Sequence, residues 1–563
     1  MTAGAETAPL LTALERLGAQ VAALRLPLDL ADAAKARTLR KEISDQLEDY
    51  VLPRLRRLDA PLLAVVGGPT GAGKSTLVNS LVGARISAAG VLRPTTRSAV
   101  LVHHPSDAAS FDERRVLPGL ERSTESSTDP AAIQLVQSEH LPAGLALLDA
   151  PDIDSVVTAN RELATQLLAA ADMWIFVTTA ARYADAVPWD FLRSAVTRGT
   201  AVAVVLDRVP AGATEEVRAD LATMLTEQGL GSAPLFVVPE TTSYDALLPP
   251  EAVEPLRSWL HGLATDATVR ANVVRHTLDG AIASLGGRVF RLAASADAQA
   301  EGAARLRREV DDAYDDALQQ VDAASGDGSL LRGEVLARWQ EFVGTGELMR
   351  SLESKVGRLR DRVTAAVRGR PQPGAELAEA LETGVEALVR AAADEAADRA
   401  GASWQSDPAG AALLGKDDLR HSSPGLGEAT ARAVREWQGY VLELVREQGQ
   451  GKRATARFLA FGVNGLGLMA MIVVFAHTGG LVAGEIVVAG GASALSQKIL
   501  EAVLGDQAVR ALASTARADL HRRVSELLEG ERRRFTQRLQ DAAVDELAGA
   551  GLRAAVQDIE DER

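Results

Sequence analysis

The sequence predicts an α/β domain, with a mostly parallel sheet and helices on both faces, inserted into an extended α-helical bundle. Between residues 59 and 245, short apolar and β-branched runs alternate with helical stretches, a pattern typical of an open parallel sheet. Stretches rich in Ala, Arg, Glu and Leu lie on both sides of this region, and their apolar residues recur at helical spacing. Residues 458–495 stand apart, because His477 and Glu485 are their only ionisable side chains.

The composition limits the class of protein. The chain has 563 residues, of which 47% are apolar and 4% aromatic, so its cores must be built mainly from Ala, Leu and Val. It contains no cysteine, which excludes disulfide bonds and thiolate metal sites and fits a reducing cytoplasm. Sixty basic residues against 76 acidic residues give a net charge of −16. We therefore expect no nucleic-acid partner, because such binding depends on neutralising phosphates.

Helices are predicted before the α/β region. Apolar residues recur at helical spacing from Leu10 to Leu24, and again from Leu39 to Leu55. Pro27 separates the two stretches.

Six strands are predicted within the α/β region. They are Leu62–Val66, Ser98–His103, Leu145–Leu148, Met173–Thr178, Ala201–Leu206 and Leu235–Val238.

A glycine-rich motif follows the first predicted strand. Its spacing, G-x-x-x-x-G-K-[ST], is met by Gly68, Gly73, Lys74 and Ser75, and a helix-compatible run comes next. The glycines let backbone N–H groups turn towards phosphate oxygens, Lys74 would reach the β- and γ-phosphates, and the Ser75 hydroxyl would ligate Mg²⁺. The nucleotide-binding residues predicted here are Gly68, Pro69, Thr70, Gly71, Ala72, Gly73, Lys74, Ser75 and Thr76.

The alternative is a glycine-rich turn that binds no ligand. Two observations disfavour it: the motif lies between a strand and a helix, and Lys74 is the only lysine between residues 41 and 355. The sequence therefore predicts a site for a nucleoside triphosphate with Mg²⁺.

An acidic residue is expected on the Mg²⁺ side of the phosphates. Asp149 ends a later strand and would hold Mg²⁺, through a water molecule. Asp152 follows three residues later, an arrangement that resembles the D-x-x-G switch of GTP-binding proteins with Asp152 in place of the glycine. Asp152 still offers a backbone N–H, although its carboxylate would lie close to a γ-phosphate. A plain exit from strand to loop is the alternative interpretation.

Two further motif positions follow from the same resemblance. The segment Arg93–Arg97 lies where a GTPase places its first switch; Thr96 is the preferred ligand of Mg²⁺ and Thr95 the reserve, and an ordinary turn is the alternative. Asp207 and Arg208 lie where the base-reading N/T-K-x-D motif belongs, and Pro210 replaces its aspartate. Guanine specificity is thus implied by the resemblance and not by these residue types.

Residues 458–495 carry the membrane prediction. Phe458–Ala476 and Gly479–Leu495 are long enough for two short legs of a hairpin, with basic residues outside both ends. A hairpin that spans the bilayer, a tip that enters one leaflet, and a buried pair of core helices are the three alternatives. The residues predicted to face lipid are Phe458, Leu459, Phe461, Leu466, Leu468, Met469, Met471, Ile472, Val473, Val474, Phe475, Leu481, Ile486 and Val487.

This organisation, with the motifs RPTTR, DAPD and DRVP, resembles the dynamin superfamily, and within it an actinobacterial branch of the bacterial dynamin-like proteins. The parts implied are neck helices in 1–58, a P-loop GTPase domain in 59–259, a neck helix in 260–325, a helical trunk in 326–457, a membrane tip in 458–495, and trunk and neck helices in 496–563.

The resemblance implies GTP or GDP with Mg²⁺ as ligands, and GTP hydrolysis coupled to membrane remodelling or septum support in cell division or sporulation. The partners it implies are membrane lipid and cell-division proteins. It also implies a homo-dimer, a higher oligomer, or a hetero-oligomer with a related dynamin-like protein. The location it implies is the cytoplasmic face of the cell membrane. The residues expected to take part in catalysis are Lys74, Thr96 and Thr70. Thr70 stands where many dynamins carry a glutamine that orients water, so slow or partner-dependent turnover is expected. A membrane-anchored scaffold with little turnover and a membrane-associated ATPase are the alternatives.

Overall fold

The computed structural model describes most of the chain. The described residues are 8–87, 99–111, 117, 120–125, 132–155, 158–241, 247–327, 329–331, 334–344, 373–416, 418–448, 455–476 and 490–563. Contacts divide the chain into a sheet unit and a helical unit. The sheet unit comprises residues 1–26, 31–298 and 545–563, and the helical unit comprises residues 27–30 and 299–544.

The sheet unit contains an eight-stranded sheet of order β3-β4-β2-β5-β1-β6-β7-β8. Its strands are β1 Leu62–Gly67, β2 Ala99–His103, β3 Glu121–Ser123, β4 Ala132–Gln137, β5 Leu145–Asp149, β6 Met173–Thr179, β7 Ala201–Val209 and β8 Leu235–Pro239. All neighbouring strands are parallel except β2 and β5, which are antiparallel. The predicted fold class is confirmed, whereas β3 and β4 were not predicted.

Both faces of the sheet are covered by helices. Along β1, Leu63 and Val65 belong to one apolar core, while Ala64 and Val66 belong to the core on the opposite face. This alternation follows from the two-residue period of a strand. The helices of the α/β region are α4 Lys74–Val82, α5 Thr158–Ala169, α6 Ala186–Arg198, α7 Thr214–Glu227 and α8 Pro250–Thr265. Helices α5, α6 and α7 cover the first face, and α4 and α8 cover the second.

A helical bundle completes the sheet unit. It contains α1 Ala8–Ala23, α2 Ala33–Gln46, a π-helical turn Leu47–Val51, α3 Leu52–Arg56, the first part of α9 Ala267–Gly326, and α17 Ala548–Asp561. Aliphatic side chains that were predicted to line one side of these helices form its core, among them Leu17, Ile43 and Leu47, which pack with Leu285 and Val556.

A buried polar cluster joins this bundle to the sheet. The Asp172 carboxylate accepts hydrogen bonds from the Leu63 backbone at 2.8 Å and from the Tyr50 hydroxyl at 3.2 Å, and Arg54 Nε lies 2.9 Å from it. Thr277 Oγ1, on α9, donates to the Asp172 carbonyl at 2.8 Å. The π-helical turn, α3 and α9 thus all contact Asp172, which lies just before β6 and also bonds to the backbone of β1.

The helical unit is built around one large apolar core. Its helices are the rest of α9, α10 Glu334–Gly344, α11 Pro373–Ser406, α12 Pro408–Leu414, α13 Leu426–Gln448, α14 Thr455–Ala476, α15 Gly490–Leu504 and α16 Asp506–Ala542. Trp404 and Trp437 are fully buried there, and each indole N–H donates to a backbone carbonyl.

The membrane prediction for α14 needs correction. Of the side chains predicted to face lipid, eight belong to the helical unit's core and are at most 7% exposed. They are Leu466, Leu468, Met469, Met471, Ile472, Val473, Val474 and Phe475. A helix that is apolar on all sides can be covered by protein as well as by lipid, and here α11, α13, α15 and α16 pack against α14.

Close packing around α14 supports this correction. A Cβ on Gly467 would lie 2.2 Å from Leu442 Cδ2, so a side chain at this position would force the Leu442 side chain of α13 to move. In the part of the chain that the structure describes, no helix combines the length and apolar character needed to cross a bilayer. The side chains of Phe458, Leu459 and Phe461, and all of Leu481, Ile486 and Val487, lie outside the described residues.

Candidate nucleotide-binding site

The predicted phosphate-binding loop lies at the centre of the sheet. Strand β1 is flanked by β5 and β6, and it leads through residues 68–73 into α4. Because β1 and β5 are parallel, with Val66 paired to Asp149, their carboxyl ends meet at the same edge. This edge is where open α/β sheets bind ligands, and it brings Lys74 and Ser75 next to Asp149.

Two positions of the loop need glycine because of the backbone conformation and the close approach of neighbouring strands. Gly73 has φ +95° and precedes α4; a Cβ there would lie 2.4 Å from Asp207 Oδ2. A Cβ on Gly68 would lie 2.1 Å from the Val177 carbonyl oxygen. Both residues therefore allow the loop to turn closely against β6 and β7, as the motif predicts.

Lys74 is buried inside the loop, with 5% of its surface exposed. Its Nζ donates to the carbonyl oxygens of Gly68 at 3.0 Å and Pro69 at 3.2 Å, and to Asp152 Oδ1 at 2.5 Å. The Asp152 carboxylate, which sequence reasoning placed near a γ-phosphate, is thus an ion-pair partner of the lysine.

Asp149 is fully buried and lies beside Ser75. Its Oδ2 accepts hydrogen bonds from Ser75 Oγ and Ser87 Oγ, both at 2.6 Å. Burial raises the pKa of the Asp149 carboxyl, although the bonds from Ser75 and Ser87 and the charge of Lys74 oppose this shift. Its other oxygen, Oδ1, is buried and accepts no hydrogen bond from any described residue.

These residues fit a magnesium ion. Mg²⁺ prefers oxygen ligands and commonly binds through one or two carboxylates together with phosphates. An uncommitted carboxylate oxygen of Asp149 beside the Ser75 hydroxyl supplies that chemistry. Ser87 was missed by sequence reasoning because no motif marks it.

A second acidic residue holds the start of the loop. Asp154 Oδ1 accepts hydrogen bonds from the backbone N–H and the hydroxyl of Thr70, both at 2.6 Å. Arg182 donates to the Thr70 carbonyl and to Asp154 Oδ2, each at 2.9 Å, and to Asp185 Oδ2 at 2.8 Å. Burial alone would raise the pKa of Asp154, but the bonds from Thr70 and Arg182 lower it. Neither Asp154 nor Arg182 was predicted.

The predicted base-reading residues lie at the end of β7, which runs to Val209. Asp207 is 7% exposed, and its Oδ1 accepts a hydrogen bond from the Arg208 backbone at 2.8 Å. Burial raises the pKa of Asp207, while Arg208 opposes the shift. Arg208 has φ +54°, and the pairing of β7 with β8 is irregular here. The structure thus brings Asp207 against the phosphate-binding loop at Gly73.

The remaining predicted residues divide into two groups. Pro69, Gly71 and Ala72 complete the loop, and Thr76 lies in the first turn of α4. Thr95 and Thr96 lie outside the described residues.

Comparison with known proteins identifies the family of this domain. A family model described as the Dynamin family matches residues 63–209. A probable transmembrane GTPase FZO-like, chloroplastic, from Arabidopsis thaliana is 28% identical over 152 residues, which are 26% of this chain. The chain covers only 14% of that relative's length.

Solved structures give weaker similarities. One, of an oligomerised bacterial dynamin pair described as a mechanism for the long-range sensing and tethering of membranes, is 10% identical with a TM-score of 0.38, over 95% of this chain and 96% of that chain. Another, of Era in complex with MgGDPNP and a segment of 16S ribosomal RNA, is 20% identical with a TM-score of 0.24, over 36% of this chain and 56% of that chain.

The family match extends from β1 to the last residue of β7, and so includes the phosphate-binding loop, Asp149 and Asp207. Residues 63–209 therefore form a domain of the Dynamin family.

Proposed function

We propose that this chain is a dynamin-like GTPase that couples GTP binding and hydrolysis to membrane remodelling. One observation carries the nucleotide part of the proposal. Lys74, Ser75 and Asp149 meet at the carboxyl edge of β1 and β5, beside a loop in which Gly68 and Gly73 leave no room for a side chain.

The roles of these residues follow from their chemistry. Lys74 binds β- and γ-phosphate oxygens, and the N–H groups at the start of α4 face the phosphates with the positive end of the helix dipole. Ser75 and Asp149 hold Mg²⁺, which neutralises charge on the phosphates when bound. In this proposal Asp207 and Arg208 contact the base, and Thr96 is a further ligand of Mg²⁺, with Thr95 as the alternative.

Slow hydrolysis is part of the proposal. Thr70 has no amide to orient an attacking water, and Asp154 already engages both its hydroxyl and its N–H. Turnover would therefore depend on a partner or a second copy of the chain that completes the site.

The membrane role is supported by the family and by the relative named as a transmembrane GTPase. In the proposal, paired GTPase domains of one chain, or of this chain and a related dynamin-like protein, act on the cytoplasmic face of the membrane at division or sporulation septa. The Asp172 cluster would carry a change at β1 and β6 to the adjoining helices.

The test is GTP turnover by the full chain, measured as phosphate release with and without anionic lipid vesicles, together with vesicle co-sedimentation. We expect slow release, faster with vesicles, and loss of release in Lys74→Ala. Vesicle binding without turnover in the original protein would favour a membrane scaffold, and faster release from ATP than from GTP would favour an ATPase.

A further inference from the structure

All three N–H donors of Lys74 are engaged within the chain. Two bond to carbonyl oxygens of the loop itself, Gly68 and Pro69, and the third bonds to the Asp152 carboxylate. A phosphate oxygen can therefore bind the ammonium only by replacing one of these acceptors. Asp152 is the acceptor that carries a negative charge, so it competes with a phosphate for the same electrostatic partner.

The two members of this pair differ in how easily they can leave it. The Lys74 side chain is 6% exposed, whereas that of Asp152 is 23% exposed. Lys74 would be costly to leave unpaired, because a buried ammonium without an acceptor loses its solvation. Asp152 can turn towards water, although its loop is anchored: Ile153 is buried, and its N–H donates to the Gly68 carbonyl at 3.4 Å.

The position of the pair distinguishes the phosphates. In loops of this type the backbone N–H groups hold the α- and β-phosphates, and the lysine reaches the β- and γ-phosphates. A carboxylate bonded to Lys74 Nζ therefore lies at the outer end of the phosphate chain. A third phosphate adds both negative charge and a rival acceptor at that end.

We propose that Asp152 is a specificity-determining residue that weakens the binding of a nucleoside triphosphate relative to the diphosphate, by competing with the terminal phosphate for Lys74. The inference rests on the proposed nucleotide-binding function and names the residue that sets the triphosphate-to-diphosphate ratio.

Asp154 provides a matched control. It is an acid of the same loop, two residues away, and it contacts Thr70 and Arg182 but makes no hydrogen bond to Lys74. Substituting it removes one negative charge from the same region without removing an acceptor of Lys74. A general change in the local field would affect both variants, whereas competition for Lys74 involves only Asp152.

The experiment is an equilibrium titration of the full chain with Mg-GTPγS, Mg-GDP, Mg-ATPγS and Mg-ADP. The proteins are the original chain, Asp152→Asn, Asp152→Ser and Asp154→Asn. We expect both Asp152 variants to bind the triphosphate about tenfold more tightly and the diphosphate less than about threefold more tightly, because each variant removes the charged acceptor that competes with the terminal phosphate for Lys74. In Asp154→Asn the ratio should stay within about twofold of the original, a difference too small to count as one hydrogen bond.

The outcomes separate this inference from the proposed function. An equal gain for both phosphate states, no gain, or the same selective gain in Asp154→Asn would overturn the competition. Tighter binding of the adenine nucleotides would contradict the GTPase assignment. The competition would then be judged in the same way, from the ratio of ATPγS binding to ADP binding in the Asp152 variants. If none of the four nucleotides binds any of the proteins, the nucleotide-binding function and this inference both fail.

Discussion

Replacing Phe475 by alanine tests whether α14 is part of a protein core. Phe475 is fully buried, and its ring lies 5.3 Å from that of Trp437 at an interplanar angle of 58°. Truncating a buried phenylalanine costs about 3–5 kcal/mol, including the cavity it leaves. In a unit of this size each kcal/mol lowers Tm by roughly 2–4 °C. We therefore expect the helical unit to unfold roughly 6–20 °C lower in Phe475→Ala.

The assay is thermal unfolding in buffer without lipid or detergent, followed by circular dichroism and by tryptophan fluorescence, to which Trp437 contributes. Phe290→Ala is the matched control, because Phe290 is 47% exposed and its truncation should change stability by no more than about 0.5 kcal/mol. If Phe475→Ala unfolds at the same temperature as the original protein and as Phe290→Ala, Phe475 is not packed in a core and the correction to the membrane prediction is itself wrong.

Three further predictions concern the sheet unit. Gly73→Ala should abolish nucleotide binding in a titration while the far-UV circular dichroism stays unchanged, because a Cβ there would lie 2.4 Å from Asp207 Oδ2; undiminished binding would contradict the tight turn. Asp172→Ala should lower the free energy of unfolding by about 3–5 kcal/mol, since breaking a buried pair leaves the other charge unpaired. Arg54→Ala should then lower it far less in the Asp172→Ala variant than in the original protein. If the two losses measured by urea unfolding are additive, Asp172 and Arg54 do not act as a pair. Asp154→Asn should be less stable than the original protein at neutral pH. The lowered pKa of Asp154 means that its stabilisation is present above the unfolded value of about 4 and disappears as pH falls through the folded pKa, so the two urea midpoints should converge in acid; a gap that persists in acid would show that Asp154 ionisation does not stabilise the fold.

Most of the α/β architecture could be predicted from local pattern. The six predicted strands are dominated by aliphatic runs, because strands buried on both faces need apolar residues at every position. Strand β4 was not predicted because Gln134 interrupts its apolar residues and Gln137 ends it. Only its first two residues are fully buried. Strand β3, with the residues Glu121–Ser123, has no such pattern at all.

The site could be predicted where spacing defines it, and not where it depends on contacts between distant segments. The loop motif and the acid at the end of β5 are local patterns, and they identified Lys74, Ser75 and Asp149. The Arg182–Thr70 bond joins residues 112 positions apart, and no short motif records it. The pairing of Asp152 with Lys74 likewise depends on how two loops meet.

The character of α14 could not be decided from its own residues. A run of apolar side chains satisfies the requirements of a bilayer and of a protein interior equally well. What decides between them is whether other helices cover it, and that depends on α13, α15 and α16 packing around it. The length of the apolar segment and the basic residues beside it favoured the membrane interpretation over the buried pair of core helices.

The most direct test of the central claim is an equilibrium titration of the purified full chain with GTP and ATP, each with and without Mg²⁺, with Lys74→Ala as the control. The account predicts Mg²⁺-dependent binding that favours GTP and is lost in Lys74→Ala. Equal binding by Lys74→Ala, or no binding of either nucleotide by the original protein, would contradict it.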